Sequence, residues 1–248
     1  MRFNLEGALG GGRCVVVVSR TSRAKQELEG VVLHLRDYQD SHRIVEFFSL
    51  EEGRRFLIAR GARASRKRFA GILDRFCRLR VVASPGRELW TLHEAAPIEL
   101  HLSLRHNLEA MNRANQIMEW CRLLLAEGEE TPVIYRYVTH ALKLLCEGEL
   151  ARAVGMYPRV LAAAGMMPEL GVCARCSEPV ESSPGALVPG LGIVCGGCRS
   201  GPPSLSPAAL GVLRGGRCDE LLVAEEVEQR LSAWLEAEAG LPLRVVRL

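Results

Sequence analysis

Residues 28–60 are LEGVVLHLRDYQDSHRIVEFFSLEEGRRFLIAR. β-Branched and aromatic residues dominate three short runs within them, at 30–35, 43–50 and 54–60. Such residues suit the pleated, half-buried surface of a sheet, and Glu51-Glu52-Gly53 between the last two runs is typical of a turn. The pattern therefore predicts three consecutive β-strands.

Two further runs of the same kind follow at 77–82 and 88–93, with the turn signal Ser84-Pro85-Gly86 between them. The interval 63–74 is too long for a hairpin and has room for a short helix. Five strands with a helix inserted before the fourth indicate an OB-fold, a small barrel whose strand face and loops often bind oligonucleotides. The sequence predicts such a domain over 26–103, after a poorly ordered, glycine-containing extension over 1–25.

Helical periodicity replaces the β pattern after Pro97. A mostly apolar stripe at helical spacing is predicted to face the core and consists of Leu104, Leu108, Met111, Asn115, Met118 and Arg122. Further helices are predicted from Thr131-Pro132 to Cys146, over 149–164 before Gly165, from Ser206-Pro207 to about Gly215, and over 225–238. The chain is thus predicted to be an α+β protein of several domains, with a helical domain over 104–170 and 204–248 that an insertion splits.

The cysteines predict what this insertion is. Nine cysteines in a chain without a secretory signal argue for reduced thiols or metal ligands rather than disulfides. Cys173 with Cys176 and Cys195 with Cys198 form two C-x2-C pairs, which place four thiolates tetrahedrally around zinc and leave no position for water or substrate. We predict a module over 171–203 with one structural Zn²⁺. The others (Cys14, Cys77, Cys121, Cys146 and Cys218) lack this spacing and are predicted to be small buried or incidental residues.

Positive charge is concentrated in the first part of the chain. Up to Arg105 there are 19 basic and 12 acidic residues, and after it 13 and 17, so the two parts carry +7 and −4. Within 54–80 ten basic residues accompany a single acid, Asp74. Because a merely solvated surface mixes both signs, this concentration predicts contact with a polyanion such as nucleic-acid phosphates.

Aromatic residues share the same region: all six phenylalanines, with Tyr38 and Trp90, precede residue 100. Rings beside arginines form stacking grooves for single strands, but five strands also need bulky core residues. Most of these rings, with Phe56 and Phe76 alternating as inward residues, are therefore predicted to fill the barrel.

Composition and missing motifs exclude several classes of protein. With 48% hydrophobic and 25% charged residues over 248 positions, the chain has the composition of a folded globular protein. It contains no G-x-x-x-x-G-K-[ST] phosphate loop, H-E-x-x-H metal motif or G-x-S-x-G elbow, and its six histidines lack ligand spacing. Because these catalytic motifs are missing, we expect that the protein is not an enzyme. No segment resembles a membrane span or a signal peptide, so we expect a cytoplasmic protein.

Several motifs resemble the RecO family of bacterial recombination mediators. The similarity begins at Glu29-Gly30-Val31-Val32-Leu33, is sharpest at Asp37-Tyr38, Ser41-His42-Arg43 and 59–68 (ARGARASRKR), and returns at 165–170 (GMMPEL) before Cys173. It extends over residues 28–247, whereas 1–25 and the ending at 241–244 depart from the family pattern.

The resemblance implies an N-terminal OB-fold, a helical domain and a zinc-binding insertion. It implies a nucleoid-associated protein of DNA repair and homologous recombination that binds single- and double-stranded DNA and anneals complementary strands. With RecR and single-strand-binding protein, such a protein helps to load the RecA recombinase. By motif and by position in the basic cluster, the expected phosphate contacts are Arg36, Arg43, Arg55, Arg60, Arg63, Arg66, Lys67 and Arg68.

Three other interpretations of these residues stay open. The first is an OB and zinc protein that binds RNA in processing or translation, which competition between single-stranded DNA and RNA would identify. The second is a zinc hydrolase or deaminase, which needs an open metal position and a nearby glutamate. The third makes the helical half a protein-docking platform, in which case charge reversal at Arg63, Arg66 and Lys67 leaves DNA affinity unchanged.

Overall fold

Five strands occupy the first part of the chain: β1 (Gln26–Tyr38), β2 (His42–Ser49), β3 (Gly53–Ala59), β4 (Arg78–Ser84) and β5 (Trp90–Glu99). The structure, a computed structural model, describes residues 24–65, 68–69, 71–180, 185–200 and 205–239. The predicted extension at 1–25 therefore lies almost entirely outside the described residues. All five strands lie where the sequence predicted them, and β1 and β5 extend several residues further.

The strands close into a barrel in the order β1-β2-β3-β5-β4. β1 is antiparallel to both β2 and β4, whereas the short contact between β3 and β5 is parallel. β1 pairs with two strands: its first half is hydrogen-bonded to β4 and the rest to β2. An irregularity in the register between Val32 and His34 bends β1. A closed five-stranded barrel of this order is an OB-fold, so the predicted fold is confirmed.

Side chains that alternate along the strands divide between two environments, as the two-residue period of a strand requires. One set, which includes Val32 and Phe47, fills the barrel. The other set, Val31, Leu33 and Phe48, points outward and packs in the core of the helical part. The barrel is thus anchored to the helices through part of the outer face of β1 and β2.

The described residues between β3 and β4 are turns and bends, without the short helix for which the sequence leaves room. Gly61, Gly71 and Phe76 have φ values of 68°, 72° and 68°. Left-handed backbone at these residues interrupts a right-handed helix. Phe69 and Leu73 are nevertheless buried in the barrel core, so this segment contributes packing without helical structure.

The described residues after β5 contain a 3₁₀ helix (Leu102–His106) and six α-helices: α1 (Leu108–Leu124), α2 (Pro132–Cys146), α3 (Leu150–Val154), α4 (Tyr157–Ala163), α5 (Pro207–Leu213) and α6 (Leu221–Ala239). The predicted starts at Pro132 and Pro207 are confirmed. Gly165 ends α4 as predicted, because its φ of 70° lets the amide of Met166 donate to the carbonyl of Leu161. No helix in the described ranges is long and apolar enough to cross a bilayer.

The single helix predicted over 149–164 is wrong: the structure has two helices, α3 and α4, separated at Gly155 and Met156. Pro158 explains the break, since proline lacks an amide hydrogen and its ring clashes with the carbonyl four residues earlier. In the structure it occupies the first turn of α4, where an amide would have no partner within the helix.

The buried face of α1 also differs from the predicted stripe. Leu108 was predicted to face the core but is 54% exposed, whereas Arg113 and Gln116 are buried. Arg113 pairs with Glu228 of α6 at 3.2 Å, and the Gln116 amide donates to Ser232 of α6 at 2.8 Å. Buried polar groups are tolerated when they are paired. Because Arg113 and Gln116 have partners on α6, the buried face of α1 includes polar residues that the apolar pattern did not predict.

The insertion contains a small antiparallel ribbon, β6 (Ala186–Val188) and β7 (Gly192–Val194). The side chains of Leu187 and Ile193, together with Val180, are buried in the same core as the helices. The insertion is therefore packed onto the helical part.

Candidate nucleic-acid interface and metal centre

The four predicted zinc ligands come together in space. The sulfur atoms of Cys173, Cys176, Cys195 and Cys198 all lie within 4.8 Å of one another, and those of Cys176 and Cys195 are 3.8 Å apart. Tetrahedral zinc with metal–sulfur bonds of about 2.3 Å requires sulfurs about 3.8 Å apart. The four cysteines are thus positioned to bind a metal ion.

Backbone hydrogen bonds hold the two cysteine pairs against each other. The amide of Ala174 donates to the carbonyl of Ile193 on β7, and the amide of Cys173 donates to the carbonyl of Glu178, both at 2.8 Å. Ser177 takes a φ of 60°, which completes the turn around the first pair. Since β7 leads directly into the second pair, these bonds set both knuckles side by side.

The surroundings of Cys173 favour a thiolate. Its sulfur accepts the amide hydrogens of Cys195 at 3.3 Å and Arg175 at 3.5 Å. Backbone donors, that of Cys195 foremost, lower the pKa of the Cys173 thiol to about 6. Amide dipoles have this effect because they stabilise the charged sulfur, which is the form that binds metal.

The remaining described cysteines lie outside this cluster. Cys77, Cys121 and Cys218 are buried, as predicted, and Cys146 is partly buried. Burial raises the pKa of Cys121 to about 12, so this thiol stays protonated and unreactive at neutral pH. Cys14 lies outside the described residues.

Five of the predicted phosphate contacts lie at one end of the barrel, where the β1–β2 hairpin turns and β3 ends. We call this surface the hairpin end; it consists of Arg36, Arg43, Arg60, Arg63 and Arg68. The amide of Arg63 donates to the carbonyl of Ser41 in the hairpin at 3.1 Å, and the Arg68 guanidinium donates to the carbonyl of Arg60. These two bonds fold the chain after β3 back onto the hairpin and so bring the arginines together.

Positive charge prevails at the hairpin end. Asp37 pairs with Arg43 at 3.2 Å and with Arg63 at 3.5 Å, so two guanidinium groups share one carboxylate. The Arg63 side chain stays 46% exposed. With one further carboxylate in the hairpin against five arginines, the surface attracts phosphates. The predicted contacts Arg66 and Lys67 lie outside the described residues.

The other arginines of the 54–80 cluster are engaged by carboxylates, so the single-sign pattern of the sequence does not persist on the surface. Ion pairs join Arg54 to Glu46, Arg55 to Glu52, Arg75 to Glu119, Arg78 to Glu29 and Arg80 to Glu27. Arg55, a predicted phosphate contact, also lies 5.2 Å from the centroid of the Trp90 ring. Its guanidinium already contacts these two side chains, and its role as a phosphate contact stays a prediction.

A groove of about 450 Å³ separates the outer face of the barrel from α1. We call it the barrel–helix groove; its walls include His34, Arg36, Ile44 and Phe56 from the barrel and Arg122 and Leu123 from α1. The strand register builds the barrel wall, because Glu46 lies opposite both His34 and Phe56, and Ile44 lies opposite Arg36.

Glu46 is a buried carboxylate in this wall. Its side chain is 6% exposed, and its two oxygens accept hydrogen bonds from Arg54 of β3 and Arg122 of α1, each at 2.7 Å. One carboxylate therefore ties the helix to the barrel. The sequence pattern did not predict this link, although a lone acid in the apolar run IVEFF (44–48) is a signal for it.

His34 carries no net charge in the groove at neutral pH. Its partial burial, followed by the positive charges of Arg122 and Arg75, lowers the pKa of the imidazole. Each of these influences disfavours a second positive charge at this position.

The aromatic residues separate into core and surface groups. Phe47 and Phe69 fill the barrel, as predicted, whereas Phe48 is buried against the helices. The prediction that Phe56 points inward is wrong, since it pairs with the outward-facing Glu46 and lies partly exposed in the barrel–helix groove. The Arg54 guanidinium lies 5.4 Å from the centroid of its ring.

Comparison with known proteins matches both halves of the chain to one family. The model described as "Recombination protein O N terminal" matches residues 24–101, and the one described as "Recombination protein O C terminal" matches residues 105–241. The chain belongs to the RecO family.

Curated relatives with the name "DNA repair protein RecO" match over most of their length. The relative from Anaeromyxobacter dehalogenans (strain 2CP-C) is 33% identical over 232 residues, which cover 86% of this chain and 91% of the relative. The relative from Symbiobacterium thermophilum is 31% identical over 235 residues, which cover 86% and 92%. Membership of the RecO family places the chain among proteins of DNA repair and recombination. The first family model ends and the second begins at the 3₁₀ helix that follows the barrel.

Proposed function

We propose that this RecO-family chain is a non-enzymatic mediator of DNA repair and homologous recombination. It binds single- and double-stranded DNA at the hairpin end, anneals complementary strands, and with RecR and single-strand-binding protein helps to load RecA at the nucleoid in the cytoplasm. The observation that carries the proposal is the convergence of exposed arginines at one end of an OB barrel in a family named for DNA repair.

Charge neutralisation is the proposed mechanism. Two DNA strands repel each other because every phosphate is negative, and guanidinium groups offset that charge through paired, planar hydrogen bonds. Arginines at the hairpin end therefore lower the repulsion between strands that meet on the protein. Base pairing then supplies the free energy of annealing, so no nucleotide needs to be hydrolysed.

The cysteine cluster is proposed to hold one structural Zn²⁺. Cys173, Cys176, Cys195 and Cys198 supply four sulfur donors, the set that zinc accepts in closed tetrahedral sites. Such a shell leaves no position for a water nucleophile. When bound, the metal supplies folding free energy to the insertion rather than chemistry.

The proposed activity is tested by an annealing assay without nucleotide, using complementary single strands coated with single-strand-binding protein. We expect duplex to form faster with the protein than without it. A rate equal to that of the protein-free mixture would reject annealing, and tighter binding to RNA than to DNA of equal sequence would reassign the ligand.

Salt should weaken single-strand binding steeply. If about five phosphates are neutralised, the logarithm of the binding constant should fall with the logarithm of salt concentration at a slope of roughly −3 to −4. Fluorescence anisotropy with a labelled oligonucleotide from low to moderate salt measures the slope. A slope near zero would show that guanidinium–phosphate contacts do not drive binding.

Removing two arginines of the hairpin end should weaken binding without affecting folding. In the Arg60→Ala/Arg63→Ala variant, we expect about tenfold lower affinity and a salt slope shallower by about 1.4, because two phosphate contacts are lost. Arg80→Ala is the control, since Arg80 is an exposed barrel arginine outside the hairpin end. Equal affinities for the double variant and the control would remove the hairpin end from the interface.

A further inference from the structure

The proposed function leaves the barrel–helix groove without a role. The groove adjoins the hairpin end, because Arg36 belongs to both. Its walls set the apolar side chains of Phe56 and Leu123 beside the guanidinium groups of Arg36 and Arg122. A flat apolar ligand attached to negative charge, such as a nucleobase on its phosphate, suits that combination.

We infer that the groove receives an unpaired base of a single strand, stacked on the ring of Phe56, while a flanking phosphate contacts the exposed Arg36. The inference rests on the proposed function and deepens it, because it assigns one part of the surface to single strands alone.

The position of Phe56 supports a role at the surface. The barrel core is filled from the other side of the sheet, by residues such as Phe47 and Leu57, so an aromatic ring on the outer face of β3 is not needed there. Arg54 lies beside the ring, and Glu46 holds Arg54 at 2.7 Å. A ring supported in this way loses little conformational freedom when a base stacks on it.

The acids in the groove do not oppose a phosphate. Glu46 is shared by Arg54 and Arg122, and Glu119 also pairs with Arg122, at 2.8 Å. The negative charges of both carboxylates are thus offset by arginines of the protein, whereas Arg36 on the barrel side is exposed. The charge that a ligand meets in the groove is therefore positive.

The dimensions of the groove favour a single strand over a duplex. A volume of about 450 Å³ between two protein walls is in the range of small-molecule sites. A paired base is stacked on both faces, and turning it out of a duplex costs a few kcal/mol. The neighbouring part of the outer face of β1 and β2, at Val31 and Phe48, is covered by helices, so the groove is an open part of that face.

Removing the ring of Phe56 should lower the affinity for single-stranded DNA but not the affinity for duplex DNA. We expect Phe56→Ala to lower the affinity for a single-stranded oligonucleotide about 5- to 150-fold, the range found for one base–aromatic stack, and to leave duplex affinity unchanged. Phe56→Leu keeps apolar packing without an aromatic face and should behave like Phe56→Ala, whereas Phe56→Tyr should restore binding. Equal losses for single strands and duplex, or full affinity in Phe56→Leu, would overturn the inference.

A direct signal of stacking comes from Phe56→Trp. The three native tryptophans, Trp90, Trp120 and Trp234, are no more than 7% exposed. Added oligothymidylate should therefore quench mainly the new indole. The control is Leu222→Trp on α6, a position that is 79% exposed and lines no part of the groove. Unquenched fluorescence in Phe56→Trp under conditions where the wild type binds overturns the inference alone, whereas wild-type protein that binds no DNA at low salt rejects the proposed function itself.

Discussion

The Cys176→Ser/Cys195→Ser variant is expected to purify without zinc and to unfold at a markedly lower temperature than the parent chain. Two sulfur ligands cannot replace the four-thiolate shell, and structural zinc contributes about 10 kcal/mol or more in isolated zinc-binding peptides. Because Val180, Leu187 and Ile193 also anchor the insertion by apolar packing, we expect about half of that here. A loss of about 5 kcal/mol corresponds to a Tm lower by about 10–20 °C in a chain of this size.

Elemental analysis of the purified protein and thermal unfolding with and without a chelator measure these effects. Cys146→Ser is the matched control, because Cys146 is a partly buried cysteine outside the cluster. It should keep one zinc per chain and a nearly unchanged Tm. A parent protein that contains no metal, or a double variant with the Tm of the parent, would contradict the metal assignment.

Glu46→Ala is expected to lower the free energy of unfolding by about 3 kcal/mol. Removal of one partner of a buried ion pair typically costs about 3–5 kcal/mol, since the remaining charge is left without compensation. The lower end applies because Arg122 is partly exposed and keeps its contact with Glu119. Arg54 and Arg122 would then face each other without the carboxylate that now separates them.

Urea denaturation of Glu46→Ala measures this cost, and Glu27→Ala provides the comparison. Glu27 pairs with Arg80 at 3.2 Å, but both side chains are more than half exposed, so its loss should cost less than about 1 kcal/mol. Faster hydrogen exchange at 119–123 in Glu46→Ala would show that the C-terminal part of α1 has loosened from the barrel. Equal destabilisation by the two substitutions would mean that the buried carboxylate does not link barrel and helix.

Strand positions could be predicted from the sequence because each depends on local alternation and on turn residues such as Gly53. Helix boundaries at Pro132, Pro207 and Gly165 were accessible for the same reason. The break before Pro158 follows from the same rule and was missed because apolar periodicity continues across it. The described residues between β3 and β4 form no helix for a different reason, since buried packing of Phe69 stabilises irregular backbone there.

The four-cysteine cluster could be predicted because the spacing within each C-x2-C pair already brings its two sulfur atoms close together. The charge on the barrel surface could be predicted only in part, because it depends on ion-pair partners that lie far away in the sequence. Glu46 reaches Arg122 across 76 positions, and Glu29 reaches Arg78 across 49. Long-range pairing of this kind engages Arg78, whereas Arg36, Arg60 and Arg63 at the hairpin end stay exposed.

The contact between α1 and α6 has a consequence for biosynthesis. The hydrogen bond from Gln116 to Ser232 joins residues 116 positions apart in the chain. At translation rates of about 5–20 residues per second, the ribosome needs about 6–23 s to make Ser232 after Gln116. During that interval Gln116 and Arg113 of α1 lack their partners on α6, whereas all five barrel strands have already been synthesised. We expect these polar contacts between α1 and α6 to form after the barrel.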